Sequence, residues 1–151
     1  MLTGITVNTI DSKSRVVIPQ DLRNQILGDG DVYLTFGLVG DEHCIRVYSV
    51  AAYEELYRKI QELRALGTHD TSGLQALYIR PARRVSFDAN GRILLTAEMK
   101  NWAKITDEAR ETSVSGNIDF VEIWSKAELD ASYENIDKSA LNAASKIIGV
   151  L

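Results

Sequence analysis

One pattern, written twice, constrains this chain more than any other feature. Asp11-Ser12-Lys13-Ser14-Arg15 leads into the apolar run Val16-Val17-Ile18, and Asp88-Ala89-Asn90-Gly91-Arg92 leads into Ile93-Leu94-Leu95. The aspartates and the arginines both recur at an offset of 77 residues. A β-like stretch precedes each copy (residues 7–10 and 84–87), and a short amphipathic segment follows (19–27 and 96–104). Leu22 and Met99 keep the same offset. Farther along, residues 44–49 answer residues 120–125 at an offset of 76, the one-residue change a loop-length difference produces. Three matched blocks in one order imply an internal duplication.

Each half reads as strand, tight turn, strand, short helix, strand pair and longer helix. Asn and Gly both tolerate positive φ, so Asn90-Gly91 marks a turn. Pro19 suits a first helical position and Gly28 a helix stop. Val32, Leu34 and Phe36 alternate, as do Ile45 and Val47, around a hairpin turn at Gly40-Asp41-Glu42. Ser49 caps a helix running to about Leu66, with Tyr53, Leu56, Tyr57, Ile60 and Leu63 on its apolar side. Glu54–Arg58 and Glu55–Lys59 pair along its wet face. Residues 67–73 form a polar connector, followed by a short helical segment. Ser125 and Glu128 then make a capping box at the head of one C-terminal helix. Its narrow stripe is Leu129, Tyr133, Ile136, Ala140, Ala143 and Ile147, and Gly149 ends it.

A half of roughly 55 residues lies near the lower limit for an independent core. The halves are therefore expected to complete one structure together. The predicted fold is α+β, two pseudo-symmetric repeats forming one β-barrel-like core with flanking helices. The first repeat covers residues 4–57, a connecting helical segment 58–80, the second repeat 81–133 and a C-terminal helix extension 134–151.

Composition removes several classes. With 45% hydrophobic and 25% charged residues among 151, the chain has the balance of a soluble globular protein. No apolar run approaches the roughly 20 residues that span a bilayer. The N-terminus lacks the basic and apolar regions of a secretory signal, and the lone Cys44 fits a reducing cytoplasm. A net charge of −4 argues against an all-round basic coat, but not against a local basic face, since phosphate contacts need charge only where a duplex touches.

The duplicated motifs, at residues 9–19 and 85–95, resemble those of the MraZ family. So do Gly37-Leu38-Val39-Gly40, and Gly116-Asn117 followed by residues 121–126. The resemblance runs from about Gly4 to Tyr133. It implies a SpoVT/AbrB-like swapped-hairpin fold with both AbrB-like repeats in one chain. It also implies a homo-oligomeric ring that binds double-stranded DNA at promoter direct repeats, repressing its own division and cell-wall operon from a cytoplasmic, nucleoid-associated location. Carried over by position, the family motif falls on Asp11, Lys13 and Arg15, and on Asp88 and Arg92. The chain departs from the family pattern at Ser14, where glycine is usual, at Asn90 in place of lysine, at Thr96 in place of proline, and through residues 78–84.

The chemistry of these residues sorts their roles. In an extended segment, Lys13 and Arg15 would share one face. The arginine fork can grip phosphate or the guanine edge, whereas lysine acts as a point charge. Asp11 and Asp88 read as turn braces, because a carboxylate facing phosphate is repelled. Arg92 divides between DNA contact and a structural pair. Arg80, Arg83 and Arg84 form a second basic cluster, which fits a solvated face or an inter-subunit salt bridge at least as well as DNA.

Tyr53, Tyr57 and Tyr133 fall at helix-core spacing, and Trp102 and Trp124 are expected to anchor helix to sheet. His43 and His69 lie far apart without metal-ligand spacing, and His43 and Cys44 alternate in a strand, which suits neither metal nor nucleophile chemistry. An enzyme, a cofactor, a small-molecule ligand and a membrane partner are not expected. The rival reading is an oligomeric, antitoxin-like interaction module, and the stripe through residues 129–147 is what would tell them apart.

Overall fold

The strands are too short to stand alone, and they pair across the two halves of the chain. The computed structural model describes residues 1–27 and 30–150. Its elements run β1 (Ile5–Thr9), β2 (Arg15–Val17), α1 (Gln20–Ile26), β3 (Asp31–Val39), β4 (Glu42–Ser49), α2 (Val50–Leu66), α3 (Ser72–Tyr78), β5 (Arg83–Ser86), β6 (Arg92–Leu94), α4 (Ala97–Ala103), β7 (Glu111–Asn117), β8 (Phe120–Ser125), α5 (Lys126–Glu134) and α6 (Lys138–Ile148). β1 pairs with β7 and β5 with β3, so the first strand of each half lies against a strand of the other. β2 pairs with β6 around Val16 opposite Ile93.

The fold is α+β, but the expected barrel does not form. Six antiparallel strands make an open sheet in the order β1-β7-β8-β4-β3-β5, and β2 and β6 pair only with each other. A barrel needs one continuous ladder returning to its start. Here β1 and β5 remain separate edges, and the short β2–β6 ladder lies over one face of the sheet.

That face is the core. Val32, Leu34, Ile45, Val47, Val114, Val121 and Ile123 meet Val16, Ile18, Ile93 and Leu95 from the ladder region. Leu22 on α1 and Met99 on α4 are both buried there. Each such aliphatic side chain contributes roughly 1.5–3 kcal/mol on burial. Trp102 ties α4 to the sheet: its indole N–H donates to Gly37 O at 3.1 Å and Cys44 O at 3.0 Å, and its ring stacks on Phe36 and His43.

α2, α3 and α5 cover the opposite face. Ser49 caps α2 by accepting from Ala52 N at 3.0 Å, and Gly67 ends it with a φ of 68°. Tyr53 is buried, stacks on Tyr33 and donates to Tyr78 O. Tyr57 and Tyr133 depart from the packing expectation, at 45% and 57% exposed. The buried side of α2 is narrower than its apolar side: Tyr53 and Ile60 are buried, Leu56 and Leu63 half-buried, and Tyr57 exposed. Arg58 pairs with Glu55 and Glu62 rather than Glu54.

The C-terminal helix is two helices. Asn135 ends α5 and donates to Glu42 Oε1 at 2.6 Å, and Asp137 caps α6 by accepting from Ala140 N at 3.0 Å. The Asp137 side chain offers the backbone an alternative to continued helix. Only half of the predicted capping box forms. Ser125 Oγ accepts from Glu128 N, while the Glu128 carboxylate turns to His43 N and Lys104. The helix stop expected at Gly28 lies outside the described residues.

Candidate nucleic-acid interface

Each duplicated motif folds into the same corner. Ser14 N donates to Asp11 O at 3.0 Å and Gly91 N to Asp88 O at 3.0 Å, closing a four-residue turn in each. The next link, Asp11 N to Arg15 O and Asp88 N to Arg92 O, seals the neck. Asp11 Oδ1 accepts from the backbone of Lys13 and Arg15, both at 2.9 Å, and Oδ2 from Arg15 Nε at 2.7 Å. Asp88 does the same with Asn90, Arg92 and Arg92 Nε at 2.9, 2.9 and 2.8 Å. The aspartates are turn braces.

Their ionisation follows from this geometry. Desolvation opposes charge on Asp11, but hydrogen bonds from the Arg15 backbone and side chain and from Lys13 N outweigh it, so its pKa lies below the ordinary 3.8. For Asp88, the bond from Arg92 N leads, and desolvation only partly offsets it and the other bonds, with the same net direction.

The turn also changes how Lys13 and Arg15 relate. Ser14 stands between them at a φ of 63°, so the segment is not extended and strand alternation does not place them on one face. Lys13 is exposed on the turn and Arg15 opens β2. In the second copy only Gly91 takes positive φ, at 73°, while Asn90 does not.

The β2–β6 ladder brings Arg15 and Arg92 together. Val16 and Ile93 point into the core at 1% exposure each, so their neighbours point outward. Register puts Arg15 opposite Leu94 and Val17 opposite Arg92, which sets the two arginines on a diagonal of the outer face with Val17 and Leu94 between them. Arg92 Nη1 also reaches Asp11 Oδ2 at 3.7 Å. Each arginine spends its Nε on its own aspartate, and no hydrogen bond engages the Nη groups of Arg15 among the described residues.

Two further cations support this face, and both escaped the reading of the sequence. Arg23 on α1 donates from Nε to Ile18 O at 2.8 Å and lies against Gly91 of the second turn. Lys100 on α4 donates to Ser14 Oγ at 2.6 Å in the first turn. Their offset is again 77, a signal the sequence carries one residue beyond the Leu22 and Met99 match. Each helix thus sends a cation to the turn of the other half.

Arg80, Arg83 and Arg84 do not form one cluster. Alternation along β5 sends Arg83 and Arg84 to opposite faces of the sheet. Arg84 is held by Asp31 on β3 at 2.9 Å, within the chain. Hydrogen bonds from Ser86 and then Arg84 lower the pKa of Asp31. Arg80 and Arg83 are exposed and have no acidic partner among the described residues. Among those residues no His, Cys, Asp and Glu group could hold a metal ion, and no helix is long and apolar enough to cross a membrane.

Comparison with known proteins finds relatives over most of the chain. The model of the MraZ protein family, likened in its description to antitoxins, matches residues 1–72. A transcriptional regulator MraZ from Thermoanaerobacter pseudethanolicus is 35% identical over 139 residues, 92% of this chain and 91% of that protein. The one from Clostridium acetobutylicum is 30% identical over 151 residues, 99% and 100% of the two chains. That from Legionella pneumophila is 29% identical over 126 residues, 83% and 80%. Similarity of this extent, spanning both motif turns, makes the chain a member of the MraZ family.

Proposed function

We infer that this protein is a transcriptional regulator that binds DNA sequence-specifically through the outer face of the β2–β6 ladder. In this reading it assembles as a ring on promoter direct repeats and represses its own division and cell-wall operon, in the cytoplasm and associated with the nucleoid. Two AbrB-like swapped-hairpin repeats, residues 4–57 and 81–133, joined by 58–80 and extended by 134–151, supply the pseudo-symmetric scaffold. The exchange of β1 and β5 between halves supports that description.

One observation carries the function: Arg15 and Arg92 sit diagonally on one outward ladder face, with Lys13 exposed beside them. Aspartate bonds to the Nε atoms hold the forks in place, and the Nη groups of Arg15 remain for phosphate or base edges. An acidic chain can bind DNA tightly this way if a ring repeats a weak contact several times.

Fluorescence anisotropy on the DNA upstream of this protein's own gene, against a scrambled duplex, tests the reading. Lys13→Ala should weaken binding and lower the salt slope by about 1, as loss of one phosphate contact does. Arg15→Ala should do more, since it also releases Asp11, while Arg80→Ala should do less. Equal affinity for scrambled DNA at low salt would defeat the reading.

A second reading, an antitoxin-like interaction module with DNA binding secondary, is favoured by one feature. The C-terminal stripe is exposed in the single chain, Ile136 at 45% and Ile147 at 86%.

A further inference from the structure

Half of the side chains on the outer face of the β2–β6 ladder are aliphatic. Arg15 stands opposite Leu94, and Arg92 opposite Val17, so each row pairs one cation with one aliphatic group. Leu94 and Val17 are 57% and 39% exposed, whereas the arginines, braced by their aspartates, are half-buried. A lone exposed aliphatic is ordinary on a protein surface. Two, each facing an arginine, make a pattern.

That pattern obeys a local two-fold. Ile18 N donates to Gly91 O at 3.0 Å and Leu95 N to Ser14 O at 2.8 Å, extending the ladder at both ends. The offset of 77 turns one bond into the other, and likewise relates Arg15 to Arg92 and Val17 to Leu94. Val16 and Ile93 face each other at the centre, buried in the core. Their burial fixes the outward direction of Val17 and Leu94, which cannot fold back.

The major groove of DNA admits a two-stranded ribbon, and each base pair shows its edge there. Arginine can bond a guanine edge or a phosphate. An aliphatic side chain has no bond to offer. Set against a donor or an acceptor, it would strip water without replacing the hydrogen bond. The C5-methyl of thymine is the one methyl group on the base edges of that groove, and it suits an aliphatic contact.

We propose that Val17 and Leu94 select thymine by its methyl group in the major groove, while Arg15 and Arg92 contact the neighbouring guanine edges or phosphates. A protein two-fold is mirrored in the symmetry of the site it reads, so the two thymines lie on opposite strands of one bound repeat. The flanking cations match the charge of the duplex, and the aliphatic groups match its only apolar edge. The inference rests on the DNA-binding reading above and names what the ladder selects.

Deoxyuridine in place of thymine tests it, because it removes the methyl and leaves both the base pairing and the protein unchanged. The full chain is titrated by fluorescence anisotropy against the DNA upstream of its own gene, with the thymines of one repeat replaced singly. Binding should weaken about fourfold at one position on each strand, the equivalent of one methyl group taken out of water. Leu94→Ala should erase the response on one strand and Val17→Ala that on the other, with circular dichroism unchanged. Such coupling between a side chain and a DNA methyl is a readout that a merely structural role would not move.

Deoxyuridine duplexes bound as tightly as thymine ones would overturn the proposal, as would a penalty that stays the same in both variants. In either case a preference for the gene's own DNA over a scrambled duplex leaves the regulator reading standing. Without that preference both fall, and the exposed aliphatic pair belongs to a protein partner instead.

Discussion

Ser14 and Gly91, 77 residues apart, occupy the same left-handed corner, at φ of 63° and 73°. A side chain in that region costs roughly 1–2 kcal/mol, a cost glycine avoids. Ser14 recovers part of it, because its hydroxyl accepts from Lys100 Nζ. Ser14→Gly relieves the strain and loses the bond, so its stability should fall within about 1 kcal/mol of wild type. Ser14→Ala keeps the strain, loses the bond, and should be the less stable variant by about 1 kcal/mol. Urea unfolding ranks the three, and an alanine variant as stable as the glycine variant would remove strain from the explanation.

Gly91 answers to its neighbour as well as to its φ. A Cβ there would run into the Arg23 guanidinium, the movable end of a side chain, so Arg23 must leave and give up its bond to Ile18 O. Gly91→Ala should cost roughly 1–2 kcal/mol. In the Arg23→Ala background the cost should shrink, because the clash is already gone. A double-mutant cycle measures that coupling, and strict additivity would count against it.

The brace aspartates predict a specific acid sensitivity. Asp11 and Asp88 both have folded pKa values below their ordinary 3.8. A depressed acid contributes its full stability above the unfolded pKa and loses it as pH falls through the folded value. The turns should therefore hold from neutral pH down to about 4 and weaken below it. Replacing both with asparagine should lower the thermal midpoint at pH 7 and flatten its decline below pH 4. If the two proteins decline in parallel, these carboxylates are not the acid-sensitive groups.

Cys44 should be silent toward thiol reagents. Burial, reinforced by the nearby Glu122 charge, pushes its pKa up to about 12. At pH 8 the thiolate fraction is then on the order of one in ten thousand. Labelling should wait for unfolding, and rapid modification of the native protein would place the thiol nearer solvent.

Gly37 tests the packing around that thiol. A Cβ on Gly37 would come 2.8 Å from Cys44 Sγ and 2.9 Å from Arg46 Cγ, inside a closed strand pair. Gly37→Ala should destabilise by about 1–3 kcal/mol, the range for overpacking, and Cys44→Ala should partly rescue it. Thermal unfolding of the single and double variants decides.

Much of the local structure was legible in the residues. Asp11 and Asp88 read as braces because a carboxylate facing phosphate is repelled, and the structure supplies the amides they hold. Ser49 and Ser125 read as caps, and Val32, Leu34, Ile45 and Val47 as strand positions. The reading failed at one place through distant residues and at another through a local turn. The separation of Arg83 from Arg84 follows from β5 joining β3, and Asp31 then captures Arg84. The left-handed Ser14 breaks the simple alternation that grouped Lys13 with Arg15.

By itself the sequence determined the motif written twice, the two braced turns and the alternation that buries Val16 and Ile93 while turning Arg15 and Arg92 outward. These depend on sterics and hydrogen bonds among near neighbours, which travel with the local chain. Tertiary structure alone decided that β1 would join β7, that β5 would join β3, and that the sheet would stay open. It also decided that Arg23 and Lys100 would each reach the turn of the opposite half. Such pairings are chosen by which apolar faces can share one core, and that choice depends on contacts between residues far apart in the chain.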